Sequence, residues 1–163
     1  MSDNFISAIY RNDIAEIKNI IHGGADINEI DKDGRTVLMH AVLAEKADMK
    51  IIELLIEAGA DVNAYDSDQG WTAIHFAARE QRYELVKVLI ENGARVDPTD
   101  RYGNTPLWRC VMHASPNITV LQLLLQNGAD PEKENRNGIS PKNVADRIGN
   151  QEVSTLLDSY INL

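Results

Sequence analysis

The sequence predicts an all-α repeat solenoid, and three observations carry that prediction. The segments "GGAD", "AGAD", "NGAR" and "NGAD" place Gly24, Gly59, Gly93 and Gly128 at intervals of 35, 34 and 35 residues. A second series, Gly34, Gly70, Gly103 and Gly138, follows each of these by ten or eleven residues. Two residues after each of those stands a hydroxyl: Thr36, Thr72, Thr105 and Ser140. A fixed period of this length marks a supersecondary unit stacked on copies of itself.

Within a unit the elements follow in order. An acid or amide followed by glycine, as at Asp33-Gly34 and Asn137-Gly138, predicts a tight hairpin-like turn. The hydroxyl that comes next predicts a helix start, because its oxygen caps free amides; in Thr105-Pro106 and Ser140-Pro141 the proline sits where no donor is needed. A short turn and a second helix complete the unit. The glycine after an apolar run such as "LLLQNG" supplies the left-handed conformation that ends that helix. Helices of about eight to ten residues do not persist alone in water, so they must stack.

The second helices show how. Ile51, Ile52, Leu54, Leu55 and Ile56, then Leu85, Val86, Val88, Leu89 and Ile90, then Val120, Leu121, Leu123, Leu124 and Leu125 fill the same five places, which predicts helices covered on more than one side. The opening fragment sets Glu16 and Asn19 at two of those places. The last unit sets Ser154 and Asp158 there. Different faces turn wet at the two ends, as terminal caps require, and the array reads as complete. The expected organisation is one domain over 1–163, in repeats of about 1–30, 31–65, 66–99, 100–134 and 135–163.

Composition narrows the class. With 44% hydrophobic and 25% charged residues the chain reads as a soluble globular protein. The start, Met1-Ser2-Asp3-Asn4, has no basic and apolar leader pattern, and no apolar stretch is long enough for a bilayer. One cysteine, Cys110, cannot form an internal disulfide, which fits the cytoplasm. A net charge of −9 opposes nucleic acid and favours a protein partner with a basic surface. No membrane contact is expected, and the chain is expected to be a monomer on its own.

Each chemical motif falls short of its full pattern. Asp66-Ser67-Asp68-Gln69-Gly70 looks like half of a calcium loop, but Ala77 stands where the closing glutamate belongs. Cys110 and His113 have helical i, i+3 spacing without the further Cys or His of a zinc site. His22, His40 and His75 lie in different units, and no nucleophile-base pair is recognisable. "GISPK" lacks the second glycine of a nucleophile elbow, and "HGG" lacks a phosphate loop's lysine. Glu29, Asp31 and Asp33 read as a solvated turn face. No catalytic residue, metal ligand or cofactor is assigned.

The residues resemble the ankyrin repeat family. "GRTVLMHAV", "GWTAIHFAA" and "GNTPLWRCV" are similar to that family's Gly-x-Thr-Pro-Leu-His-x-Ala-Ala helix start, and "LLIEAGADVNA" to its ending, over roughly residues 5 to 160. Val37 and Ala73 replace the proline, Met39 and Trp108 replace the histidine, and His75 keeps it. The second and fourth repeats are two residues longer than the third, around Glu45 to Asp48 and Ala114 to Asn117. The resemblance implies a protein-binding module of about five repeats, the outer two acting as caps. Its surface would be a concave face of hairpin tips and first-helix ends: Lys32, Asp33, Arg35, Leu43 and Ala44; Asp68, Gln69, Trp71, Arg79 and Glu80; and Arg101, Tyr102, Asn104, Met112 and His113, joined by Tyr65. Trp71 is either an exposed anchor on a finger or a ring laid over the neighbouring repeat. Trp108 and Leu123 are assigned to the core. The expected role is inhibition or sequestration of a basic protein, in the manner of an immunity protein on a toxin nuclease, with a scaffold subunit as the alternative.

Overall fold

The structure is a computed structural model describing residues 3–46, 48–113 and 117–161. Among the described residues it holds ten α-helices and one isolated bridge, Tyr65 with Thr72. In chain order these are α1 (Asp3–Tyr10), α2 (Ile14–His22), α3 (Val37–Leu43), α4 (Met49–Glu57) and α5 (Ala73–Arg79). They are followed by α6 (Tyr83–Glu91), α7 (Pro106–Val111), α8 (Ile118–Gln126), α9 (Pro141–Ile148) and α10 (Gln151–Ile161). The fold class is the all-α repeat architecture that the glycine and hydroxyl periods predict. Of the two lengthened stretches, Ala47 and Ala114, Ser115 and Pro116 lie outside the described residues, as do Met1 and Ser2.

Side-chain caps start most of the helices. The Thr36 hydroxyl accepts from the Met39 amide, Thr105 from Trp108, and Ser140 with Asn143 forms a reciprocal capping box. Carboxylates and amides start second helices: Asp13 caps α2, Asp48 caps α4 and Asn117 caps α8. Between paired helices the chain turns at Asn12 and Gln81, both with positive φ. Their side chains make the turn useful. Asn12 Nδ2 donates to the Lys46 carbonyl at 2.9 Å, and Gln81 Nε2 to the Cys110 carbonyl at 3.1 Å.

Packing contacts divide the chain into two compact units, Met1–Ala73 and Ile74–Leu163. In the first, α1 packs on α2 and α3, and α3 on α4, around Phe5, Ile9, Ile17, Leu38, Met39, Ile52 and Leu55. In the second, α6 packs on α8, α7 on α8 and α9, and α10 on α9 and α8. Its core holds Leu85, Leu89, Leu107, Val111, Leu121, Leu124, Val144 and Leu157. Each such side chain removed from water contributes about 2 kcal/mol, which offsets the ordering cost that a lone short helix cannot meet.

Three sequence-based expectations change at this level. Leu123 is half-buried because the third of the five places, shared with Leu54 and Val88, lies on the helix flank; there Leu123 lines an open groove with Tyr83, Thr119, Gln122 and Gln126. Trp108 is half-buried as well, with the Arg109 guanidinium 5.3 Å from its ring centre. Ser154, expected on a wet face, is buried. Its hydroxyl donates to Asp146 Oδ1 at 2.5 Å and accepts from Lys142 Nζ at 3.0 Å, so a polar residue in the closing helix is satisfied inside.

Candidate protein-binding surface

Each hairpin tip is folded by one side-chain oxygen at its base. Asp31 Oδ1 accepts from the Asp33 and Arg35 amides at 2.8 and 2.9 Å. Asp100 Oδ1 accepts from Tyr102 and Asn104, both at 2.8 Å, and Asn135 Oδ1 from Asn137 and Ile139 at 2.9 and 3.1 Å. Asp66 does the same in a wider loop, accepting from Gln69, Gly70 and Trp71 at 2.8, 2.9 and 3.2 Å. Such side-chain turns are the reason acids and amides favour loop starts.

Two of these bases are also tied to a helix. Asp31 Oδ2 lies 2.8 Å from His40 Nε2, and since a carboxylate only accepts, that nitrogen carries the shared proton. The Tyr10 hydroxyl stands 3.1 Å from the other ring nitrogen. Asp100 Oδ2 takes the Arg109 guanidinium and the Asn104 side-chain amide. Burial works to raise both carboxyls. The bonds from Arg35, His40 and Asp33 to Asp31, and from Arg109, Asn104 and Tyr102 to Asp100, outweigh it and hold both below the usual carboxylate value. Asp31 is therefore not a solvated turn acid; its donors gather at one base because the turn curls around it.

Tips within a unit touch their neighbours. The Ser67 amide donates to the Asp33 carbonyl at 2.9 Å, and the Arg136 amide to the Tyr102 carbonyl at 2.9 Å. Gly34 and Gly103 permit this approach: a Cβ on Gly34 would meet Ser67 N at 2.5 Å, and one on Gly103 would meet Arg136 N at 2.9 Å.

On this frame the residues assigned from sequence separate into two groups. In the first unit Lys32, Asp68 and Tyr65 are exposed, Tyr65 at 72%, while Asp33, Arg35, Leu43 and Gln69 are half-buried. In the second unit Arg79, Glu80, Arg101 and His113 are exposed, with Tyr102 at 54% and Met112 at 49%. Arg79 and Glu80 pair at 2.6 Å. Trp71, Asn104 and Ala44 do not offer a surface. Trp71 is 5% exposed, which corrects the exposed-anchor reading. Its carbonyl accepts from the Asp66 amide at 2.9 Å where the Tyr65–Thr72 bridge closes the hairpin, so it sits at the base while Ser67 to Gln69 form the tip. Asn104, 4% exposed, joins bases together: its Oδ1 accepts from Asn135 Nδ2 at 2.8 Å. The signal was in the register, since Trp71 and Asn104 each directly precede the threonine that stands before a first helix.

Other side chains of chemical interest are engaged in structure. Burial pushes the Cys110 thiol up to about 12, against a lowering bond from Gln81, and it lies in the core while His113 is exposed. Among the described residues no group of three His, Cys, Asp or Glu is placed to hold a metal ion. Nor is any helix long and apolar enough to cross a membrane. Gln81 was not singled out from sequence. It accepts from the Asn117 amide at 2.5 Å while donating to Cys110, tying the turn after α5 to both ends of the α7–α8 connection.

The ankyrin repeat family model, built of three copies, matches residues 5–100 and 48–135. An ankyrin repeat protein of fowlpox virus, FPV031, is 30% identical over 160 residues, covering 94% of this chain and 46% of the viral one. Ankyrin repeat protein OPG189 of variola virus is 28% identical over 120 residues, 73% of this chain and 20% of its own. Alpha-latrotoxin-Lg1a of Latrodectus geometricus is 30% identical over 152 residues, 90% of this chain and 10% of the toxin. The chain thus spans less than half the length of these relatives.

Proposed function

The chain belongs to the ankyrin repeat family, whose repeats generally mediate protein–protein contact, and on that premise we propose that it is a non-enzymatic module that binds and inhibits or sequesters a partner protein. The observation that carries this is the placing of large apolar groups in water. Tyr65, beside the bridge at a hairpin base in the first unit, and Tyr102 and Met112, on a tip and a first-helix end in the second, stand about half or more exposed, where burial against a partner is their main available gain. The backbone beneath them is fixed by the Asp66 and Asp100 turns, so little ordering cost remains at binding. The net charge of −9 supports a basic partner, such as a nuclease or toxin held by an immunity-type protein, met in the cytoplasm by a monomer. Sixteen residues are assigned to this surface from sequence; the proposed surface keeps the thirteen that remain when Trp71, Asn104 and Ala44 are withdrawn.

Site-specific photo-crosslinkers at Tyr65 and Tyr102, with matched ones at Lys18 and Lys87 on the second helices, test the reading in cells at native expression. Adducts of one partner from the two tyrosines, weakened by added salt, support it. The groove lined by Tyr83, Leu123 and Gln126 favours the second reading, a scaffold subunit that is held through its outer helices. Salt-insensitive adducts from Lys18 and Lys87 alone would establish that reading and overturn the first.

A further inference from the structure

Consecutive hairpins are also joined at the loops that follow the second helices. In the first unit Asn28 uses both ends of its amide: Oδ1 accepts from the Asp61 amide at 2.7 Å and Nδ2 donates to the Gly59 carbonyl at 3.0 Å. The sequences "ADINEID" from Ala25 and "ARVDPTD" from Ala94 set Asp97 in the same place in the second unit. Asp97 Oδ2 reproduces the first bond, accepting from the Asp130 amide at 2.8 Å. Its Oδ1 is buried and has no hydrogen-bond partner among the described residues. The register that pairs Asn28 with Gly59 pairs Asp97 with Gly128, 31 residues ahead in each case. An ionised carboxylate has nothing to donate to a carbonyl in that register.

We propose that Asp97 is a proton-binding site: Oδ1 takes a proton from solvent, and the resulting hydroxyl donates to the Gly128 carbonyl, restoring the second bond that Asn28 makes. The charged groups facing it come from the opposite loop. Lys133 Nζ donates to the Asp97 carbonyl at 2.8 Å, and the Asp130 carboxylate stands beside the amide that Asp97 accepts from. Burial raises the Asp97 carboxyl above its ordinary 3.8, the Asp130 amide and the Lys133 charge lower it, the Asp130 charge raises it, and the balance is upward. The folded chain then holds this proton more tightly than the unfolded chain. Stability from this site is present at acid pH and is lost as pH rises through the folded-state value. The Asp97 carboxyl makes two bonds to the opposite loop on the acid side of that value and one on the other, beside the Lys133 bond to its backbone carbonyl.

The direct test follows the Asp97 carboxyl carbon by NMR across an acid titration of the full chain. A midpoint above 3.8 is expected; a midpoint at or below it would overturn the proposal. Because it is read on the wild-type protein, the result does not depend on any variant folding. Asp97→Asn supplies the missing donor permanently. It should melt about 2 to 4 °C above wild type near neutral pH, and the offset should close as pH falls through the measured midpoint. An offset that stays constant with pH would count against proton binding. Asp130→Asn keeps the amide bond and removes the neighbouring charge, so it should lower the Asp97 midpoint; no movement would also contradict the arrangement.

Discussion

Comparing Gly34→Ala with Gly59→Ala separates two reasons for glycine inside one unit. Both residues have positive φ, 76° and 92°, where an added Cβ costs about 1 to 2 kcal/mol. At Gly59 nothing lies within 4 Å of that Cβ, so the backbone cost is the whole effect. At Gly34 the Cβ would run into Ser67 Oγ and stand 2.5 Å from Ser67 N. The hydroxyl can rotate away. The backbone nitrogen can only move by giving up its 2.9 Å bond to the Asp33 carbonyl. That loss is worth about 1 kcal/mol, and shifting a packed tip adds about 1 to 2 more. Gly34→Ala should therefore cost about 3 to 5 kcal/mol against about 1 to 2 for Gly59→Ala, read from urea midpoints with unchanged slope. Equal losses would show that the two tips do not approach each other as described.

Three more outcomes are expected. Asp100→Asn leaves the Arg109 guanidinium without its carboxylate and should cost about 3 kcal/mol near neutral pH by chemical denaturation; because the Asp100 carboxyl lies below its ordinary 3.8, the loss is full above that value and shrinks as pH falls through the folded-state one. Leu124→Ala, in the core, should cost about 3 to 5 kcal/mol, and Leu123→Ala, on the groove, about 1, in paired thermal melts; the reverse order would misplace the α8 face. Tyr102→Ala should change stability by less than about 0.5 kcal/mol while weakening partner binding by more than about 1 kcal/mol in calorimetry, and unchanged affinity would remove the tip from the surface.

What could be read from the sequence was what short range decides. Helix caps such as Thr36 and Ser140 and glycine stops such as Gly59 and Gly128 depend on a few neighbouring residues, and the structure has them in place. Side-chain fate at the tips depends on where a loop closes. Asp66 and Thr72 are six residues apart, whereas Asp31 and Thr36, or Asp100 and Thr105, are five apart. The extra residue widens the turn around Asp66 and leaves Trp71 at its base, which composition alone could not reveal. Ser154 and Asp31 were misjudged for a related reason. A polar residue reads as wet until its partners are known, and Lys142, Asp146 and His40 lie 12, 8 and 9 residues away from them. Leu123 needed the position of α6 to show that the α8 flank opens on a groove.

The turns built on Asp31, Asp66, Asp100 and Asn135 separate shape from message. Each loop takes its form from an atom at its root, through backbone amides that any residue type supplies. Lys32, Asp68 and Arg136, at the outer positions, are therefore exempt from holding the loop together with their side chains. Such a chain can be retargeted by rewriting those letters while the scaffold beneath is left untouched, whereas replacing a root residue erases the whole loop's readout at once.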